Sequence, residues 1–471
     1  MVFNSFAFVA FFAIVLVLMA MPFAWTTRKI ILLVASYLFY MAWNPPFVIL
    51  LWVSTVVDWY AAQKLVHAER PAVRRAWMLL SVVANLGMLS YFKYGHFLLE
   101  NFSEVVSVYG VHYVPPKWDI VLPVGISFYT FATLSYTLDV YLRRALPARR
   151  FLDYALFVTF FPHLVAGPIM RPTELVPQFE IERRATRRQL QFGLVLVLLG
   201  LFQKVVLADT FLSKAAEAVF DTGQPTGALD AWIGTLAFSG QIFCDFAGYS
   251  TIAIGVAMCL GFAMPDNFRF PYAAVGFSDF WRRWHITLSS WLRDYLYIPL
   301  GGNRHGPART YLALMGTMLL GGLWHGASWT FVVWGGLHGI YLSVERFLRG
   351  RFAGYRPGPL ALFALGLLTW MLVNVTWVFF RAKTFGKAWG VLTGMAGAHH
   401  DAAPILSTML IGTTVLIVSG IVAAHWWMRR RTLESALLQV PAVPLAMGMG
   451  LMAFLVIIAQ GEGSAFIYFQ F

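Results

Sequence analysis

Apolar stretches long enough to cross a bilayer recur along this chain, and no other feature narrows its folding options so far. About 30 Å of hydrocarbon takes roughly 17 to 25 helical residues at 1.5 Å each. Runs of that order fall near 4–26, 30–43, 47–63, 76–99, 118–142, 190–212, 231–262, 310–325, 328–345, 358–380, 404–427 and 441–460. The expectation is an all-α, polytopic integral membrane protein, with about 12 transmembrane helices plus re-entrant helices around a central cavity.

Composition closes the other routes. Of 471 residues, 59% are hydrophobic and 12% charged, against about 25% charged in an average soluble domain. A water-facing surface cannot be covered with so little charge, which excludes a soluble enzyme, a secreted disulfide domain and a disordered chain. The 35 Lys and Arg outnumber 22 Asp and Glu, for a net charge of +13. In a soluble protein such an excess would point to nucleic acid; between membrane spans it is the positive-inside rule, and no nucleic-acid partner is expected. Cys244 and Cys259 lack CxxC spacing, so neither a metal site nor a disulfide framework is implied. Met1-Val2-Phe3-Asn4 carries no basic region, and the apolar run to Trp25 has no small-residue cleavage site, which predicts an uncleaved first helix.

Pro45-Pro46 separates the second and third runs as a tight hairpin. Two further segments fit poorly as crossings. Segment 151–168 is short and contains Phe161-Pro162-His163, and 277–298 is apolar but studded with arginine. Both are expected to be re-entrant or interfacial, which requires that protein or a polar cavity cover the backbone. If neither crosses, seven arginine-rich groups share one side, among them Arg28-Lys29, Arg183/Arg184/Arg187/Arg188, Arg346/Arg349/Arg351/Arg356 and Arg429-Arg430-Arg431. The pattern puts those loops in the cytoplasm and both termini outside it. No linker or soluble insert interrupts the chain, so residues 1–471 are expected to form a single membrane domain.

Two places hold chemistry. From Phe277 to Leu300 the chain reads FSDFWRRWHITLSSWLRDYLYIPL. Phe277, Phe280, Trp284, Leu288, Trp291 and Tyr295 recur every three or four residues, predicting one helical stripe. An interfacial helix with snorkelling arginines explains all of it except His285. The second place is Gly321-Gly322-Leu323-Trp324-His325-Gly326, inside a stretch from Thr310 to Val344 with no formal charge. Glycines permit close helix approach or a break, and an ionisable group at membrane depth marks a functional site by default. His338, His163 and Lys204 are read as packing residues, with lining a polar cavity as the alternative for His163 and Lys204. A neutral imidazole can take a proton from a hydroxyl and return it to a leaving group. No HxxxH, GxSxG or Walker pattern is present. Group transfer by a histidine base and a proton-coupled membrane carrier both remain open on these residues.

Longer motifs carry a resemblance. Phe243-Cys244-Asp245-Phe246-Ala247-Gly248-Tyr249-Ser250, FWRRWH ending at His285, WLRDYLYIPLGGNR from Trp291 to Arg304 and GGLWHG around His325 resemble the membrane-bound O-acyltransferase (MBOAT) family. FPHLVAGPI from Phe161 and SYLFYMAWNP from Ser36 are similar to its bacterial branch that contains the alginate O-acetyltransferase. That branch commonly has Tyr and Ser where this chain has Cys244 and Ala247.

The resemblance implies an inner-membrane enzyme that takes acetyl from cytoplasmic acetyl-CoA and delivers it for O-acetylation of an exported polysaccharide. Alginate is the first choice, with cellulose, another exopolysaccharide or peptidoglycan as alternatives. It also implies His325 as the essential histidine, His285 as the second signature residue, and no metal. Arg282, Arg283, Arg293 and Arg304 are candidates to attract the phosphates of coenzyme A. The last six residues, 466–471, resemble an extracytoplasmic tail motif in which Tyr468 would carry the acyl group. Besides membrane lipid, the implied partner is a periplasmic acyltransferase of a polysaccharide-modification complex.

Overall fold

The computed structural model describes residues 1–116, 120–352 and 354–459, which are helical with no strand among them. They form two compact units: 1–194 with 253–265, and 195–252 with the described residues from 266 onward.

Six helical stretches are long and apolar enough to cross a membrane: Pro45–His67, Pro71–Ser107, Arg187–Phe220, Ala228–Cys259, Pro359–Arg381 and Thr408–Met428. Two shorter apolar helices, Phe6–Ala20 and Ala442–Ile458, flank them in sequence. The remaining apolar runs are helical too, but shorter or more polar than an unaided span. Helix Trp25–Met41 carries Arg28 and Lys29, both fully buried. Within the run at 118–142 the described residues, from 120 on, become helical at Ile126, after Gly125 turns the backbone through φ +74°.

In the first unit, Pro45–Phe47 forms the tight turn between helices Trp25–Met41 and Val48–His67. Polar groups inside this unit are matched to one another, as burial demands. Lys29 pairs with Asp153, and the Asn85 amide donates to both Asp58 oxygens at 3.0 and 2.8 Å while accepting from Ser54 and Thr133. Segment 151–168 is short and broken, as Phe151–Thr159 and Phe161–Leu164, with residues 153–170 all buried. Protein therefore covers its backbone.

In the second unit the stretch 202–212 widens to π-helical hydrogen bonding. There the Lys204 ammonium meets Asp209 at 2.8 Å and Asp245 at 2.5 Å. Farther along, helices Gly306–His325 and Trp329–Arg351 form a hairpin whose backbones touch. A Cβ on Gly322 would lie 2.3 Å from the Phe331 carbonyl oxygen, and one on Gly335 would lie 2.2 Å from that of Met318. Only glycine permits this approach.

Candidate active site

The hairpin sets the place of His325. This histidine ends helix Gly306–His325, and Gly326 leaves the helical region with φ −164°. The Ser328 side chain then accepts from the Thr330 amide and starts the return helix. His325 is 2% exposed. Its ring meets Trp324 at 5.0 Å, Trp334 at 4.9 Å and Phe380 at 5.2 Å between centroids, each at a steep angle. Edge-to-face contacts of this kind contribute about 0.5–1.5 kcal/mol each beyond area burial, so three of them fix the imidazole plane.

His285 is placed differently, and here the expected continuous stripe needs correcting. The segment is two helices, Phe277–Trp281 and Ile286–Leu292, followed by a π-helical turn Arg293–Tyr297. His285 lies in the break with φ 42° and ψ 56°, a left-handed conformation that strains any residue with a Cβ. Nor is this an interfacial helix with an aromatic belt: Phe280, Trp284 and Leu288 are essentially inaccessible. The Glu345 carboxylate accepts from the Phe277 and Ser278 amides at 2.5 and 2.9 Å, anchoring the first helix at its positive end.

The strained turn is held by a loop that sequence reasoning overlooked. Asn267 accepts from the Ile286 amide through its backbone oxygen at 2.9 Å. Its side-chain oxygen accepts from the Thr287 amide and hydroxyl at 3.3 and 2.8 Å, and it lies 3.1 Å from His285 Nδ1. The Asn267 amide nitrogen donates to Ser250 at 3.1 Å. In sequence, Asn267 looks like an ordinary turn residue after Pro265; nothing in its neighbourhood signals a partner eighteen positions away.

Trp324 joins the two histidines. Its indole centroid lies 5.0 Å from the His325 ring and 5.9 Å from the His285 ring, and Phe246 meets His285 edge-on at 4.7 Å. Residues forty apart in sequence thus border one indole within the second unit. His338 lies deeper, 4.9 Å from Trp334, with Nε2 at 3.0 Å from the Thr376 hydroxyl. The same hydroxyl lies 2.7 Å from the Val373 carbonyl oxygen. His425, unremarked in sequence, accepts from the Tyr272 amide at 3.2 Å.

The four arginines divide. Arg282 and Arg304 are exposed. Arg293 is also open to solvent and pairs with its neighbour Asp294 at 2.8 Å. Arg283 is committed: its guanidinium donates to Asp279 at 3.0 Å and to the Arg269 and Arg429 carbonyls at 3.2 and 3.4 Å. Tyr468 lies outside the described residues. Among the described residues no group of three or more His, Cys, Asp or Glu side chains is arranged to hold a metal ion.

Against this geometry stand the comparisons with known proteins. The family model for MBOAT, the membrane-bound O-acyltransferase family, matches residues 39–380, which include both histidines and Trp324. A probable alginate O-acetylase, AlgI, of Pseudomonas aeruginosa is 42% identical over 371 residues, covering 78% of this chain and 69% of that protein. Its namesake in Azotobacter vinelandii is 41% identical over 406 residues, covering 84% and 80%. A peptidoglycan O-acetyltransferase of Helicobacter pylori is 39% identical over 400 residues, covering 79% and 74%. With two buried imidazoles on one indole inside the matched region, the chain belongs to the membrane-bound O-acyltransferase family and is a multi-pass membrane O-acyltransferase.

Proposed function

We propose that this protein takes acetyl from cytoplasmic acetyl-CoA and passes it across the bacterial inner membrane for O-acetylation of an exported polysaccharide. Alginate is the first candidate, supported by the relatives of that name. Peptidoglycan is the alternative that the Helicobacter relative favours. In this reading residues 1–471 are one acyltransferase domain of about 12 crossings, with re-entrant helices around a central cavity. Both termini lie outside the cytoplasm, and a periplasmic acyltransferase partner grips the polymer.

The observation that carries the chemistry is the pairing of His285 and His325 on Trp324. His325 takes the proton of the attacking hydroxyl as its oxygen bonds to the thioester carbonyl carbon. The carbon–sulfur bond then breaks, and the imidazolium returns the proton to the departing thiolate. His285 is the second proton acceptor of the site. Arg282, Arg293 and Arg304 draw the coenzyme A phosphates, while Arg283 would first have to leave Asp279. A proton carrier would need no acyl donor, so the family's activity favours transfer.

The test is His325→Ala in the full chain with labelled acetyl-CoA and polymer. Transfer is expected to fall by the ~10² to 10⁴ that a positioned base supplies, with normal accumulation in the membrane. Near-parental transfer would remove His325 from the role.

A further inference from the structure

His285 can serve as a proton acceptor only through a ring nitrogen that carries no proton, and the surrounding hydrogen bonds decide which nitrogen that is. We propose that Asn267 is the positioning residue of His285, whose side-chain oxygen holds the ring as the Nδ1–H tautomer and keeps the Nε2 lone pair for the transferred proton. The proposal deepens the functional reading above and rests on His285 taking part in transfer.

The orientation of the Asn267 amide is fixed by its own partners. A backbone N–H has only a proton to offer, so the Thr287 amide, at 3.3 Å, must face the oxygen. The amide nitrogen, on the other side, donates to Ser250 at 3.1 Å. The atom 3.1 Å from His285 Nδ1 is therefore a carbonyl oxygen, which has no hydrogen to give. Nδ1 must supply the proton, and in a neutral imidazole that leaves Nε2 as the acceptor. Asn267 is 1% exposed, so water does not compete for this oxygen.

The same residue holds the ring in place through the backbone. Its main-chain oxygen accepts from the Ile286 amide at 2.9 Å, and the Arg269 amide donates to the Arg283 carbonyl at 2.8 Å. These bonds flank His285 and stabilise its left-handed turn. Beyond Asn267, Ser250 ties the arrangement to the same helix whose Phe246 ring meets the imidazole edge-on. One asparagine thus fixes the position, the plane and the tautomer of His285.

Three variants in the full-length membrane enzyme test this. Asn267→Ala removes the acceptor and is expected to lower kcat about 10- to 100-fold, part of what a positioned base supplies, with the KM for acetyl-CoA unchanged. Asn267→Asp keeps every accepting oxygen and adds a charge. It should retain transfer, with the acidic limb of its pH–rate profile moved upward by about 1 unit, because a carboxylate beside an imidazole favours the protonated ring. The double variant Asn267→Ala/His285→Ala should be no slower than His285→Ala alone, since Asn267 acts through that ring.

An unmoved acidic limb in Asn267→Asp, or losses that simply multiply in the double variant, would overturn the proposal. If Asn267→Ala fails to accumulate, the aspartate variant decides alone, and its inactivity would count against the idea because no acceptor has been lost. Full activity of His285→Ala is a different failure: it would remove His285 from the chemistry altogether.

Discussion

An imidazole buried among aromatic rings has few ways to turn, a restriction that His325 shares with His338 and that the proposed role of His325 would use. Trp324, Trp334 and Phe380 meet it from three directions, so its free energy is spent on orientation before any substrate arrives. Tyr468 is the opposite case: a phenol with a pKa near 10 is a poor nucleophile unless a base takes its proton. Its proposed role as acyl carrier predicts that Tyr468→Phe, which loses one oxygen and keeps the ring, accumulates normally but fails to acetylate polymer. Mass spectrometry of the carboxy-terminal peptide should find an acetyl group in the parent and none in His325→Ala. Full polymer acetylation by the phenylalanine variant would leave the tail as a membrane anchor. At this scale His325 stood out because an ionisable group in an apolar run is conspicuous, whereas His285, in a segment studded with arginine, was assigned a role only by the family resemblance. Asn267 was not legible, because its significance comes from a loop crossing that no local pattern records.

Elements show where periodicity misleads. Phe280, Trp284, Leu288 and Trp291 are all buried, as a helical stripe requires, yet the helix breaks between Trp281 and Ile286. Periodicity reports which side chains face inward; it does not report that one left-handed residue can interrupt the helix without moving the buried face. Proline and glycine were better guides: Pro45-Pro46 turns the chain, and Gly322, three residues before His325, does bring backbones together. Gly335→Ala should therefore cost about 1–3 kcal/mol, as overpacking does, read as a lower thermal midpoint in detergent together with weaker transfer. An unchanged midpoint would mean that the two helices separate freely.

Another element is pinned by charge. Partial burial alone would raise the Asp221 carboxyl, but Arg381 at 2.6 Å and Lys383 at 3.3 Å outweigh it and hold the group below its ordinary range. A depressed carboxylate stabilises the fold above its unfolded pKa of about 3.9 and ceases to do so as pH falls through the lower folded value. The thermal midpoints of parent and Asp221→Asn should accordingly differ at pH 7 and converge below pH ~4. A gap that persists in acid would assign the effect to packing.

For the molecule as a whole, the class of protein was plain from its apolar runs and thin charge, while the number of crossings was not. Helices such as Trp25–Met41 carry buried charges matched by protein partners, so hydropathy alone cannot say which of them cross. The proposed sidedness is testable directly. With Cys244 and Cys259 replaced by alanine, an impermeant thiol reagent applied to intact cells should label Ala398→Cys and spare Gly350→Cys, both at exposed positions. The reverse pattern would overturn the topology and the cytoplasmic entry of the donor together.

If the acyl group is handled at His325 as proposed, the contact of Gly322 with Gly335 also bears on substrate choice. With no side chain between the two helices, neither can slide by a residue without driving a Cβ into a carbonyl. The joint is keyed, and the Trp324–His325 corner it carries cannot retreat to admit a bulkier acyl chain. Enlarging the acyl group would have to be met by trimming a wall of that corner, such as Phe380, rather than by loosening the hairpin. On that reading the size limit on what is transferred is set by the backbone itself, less than one turn from the proposed base.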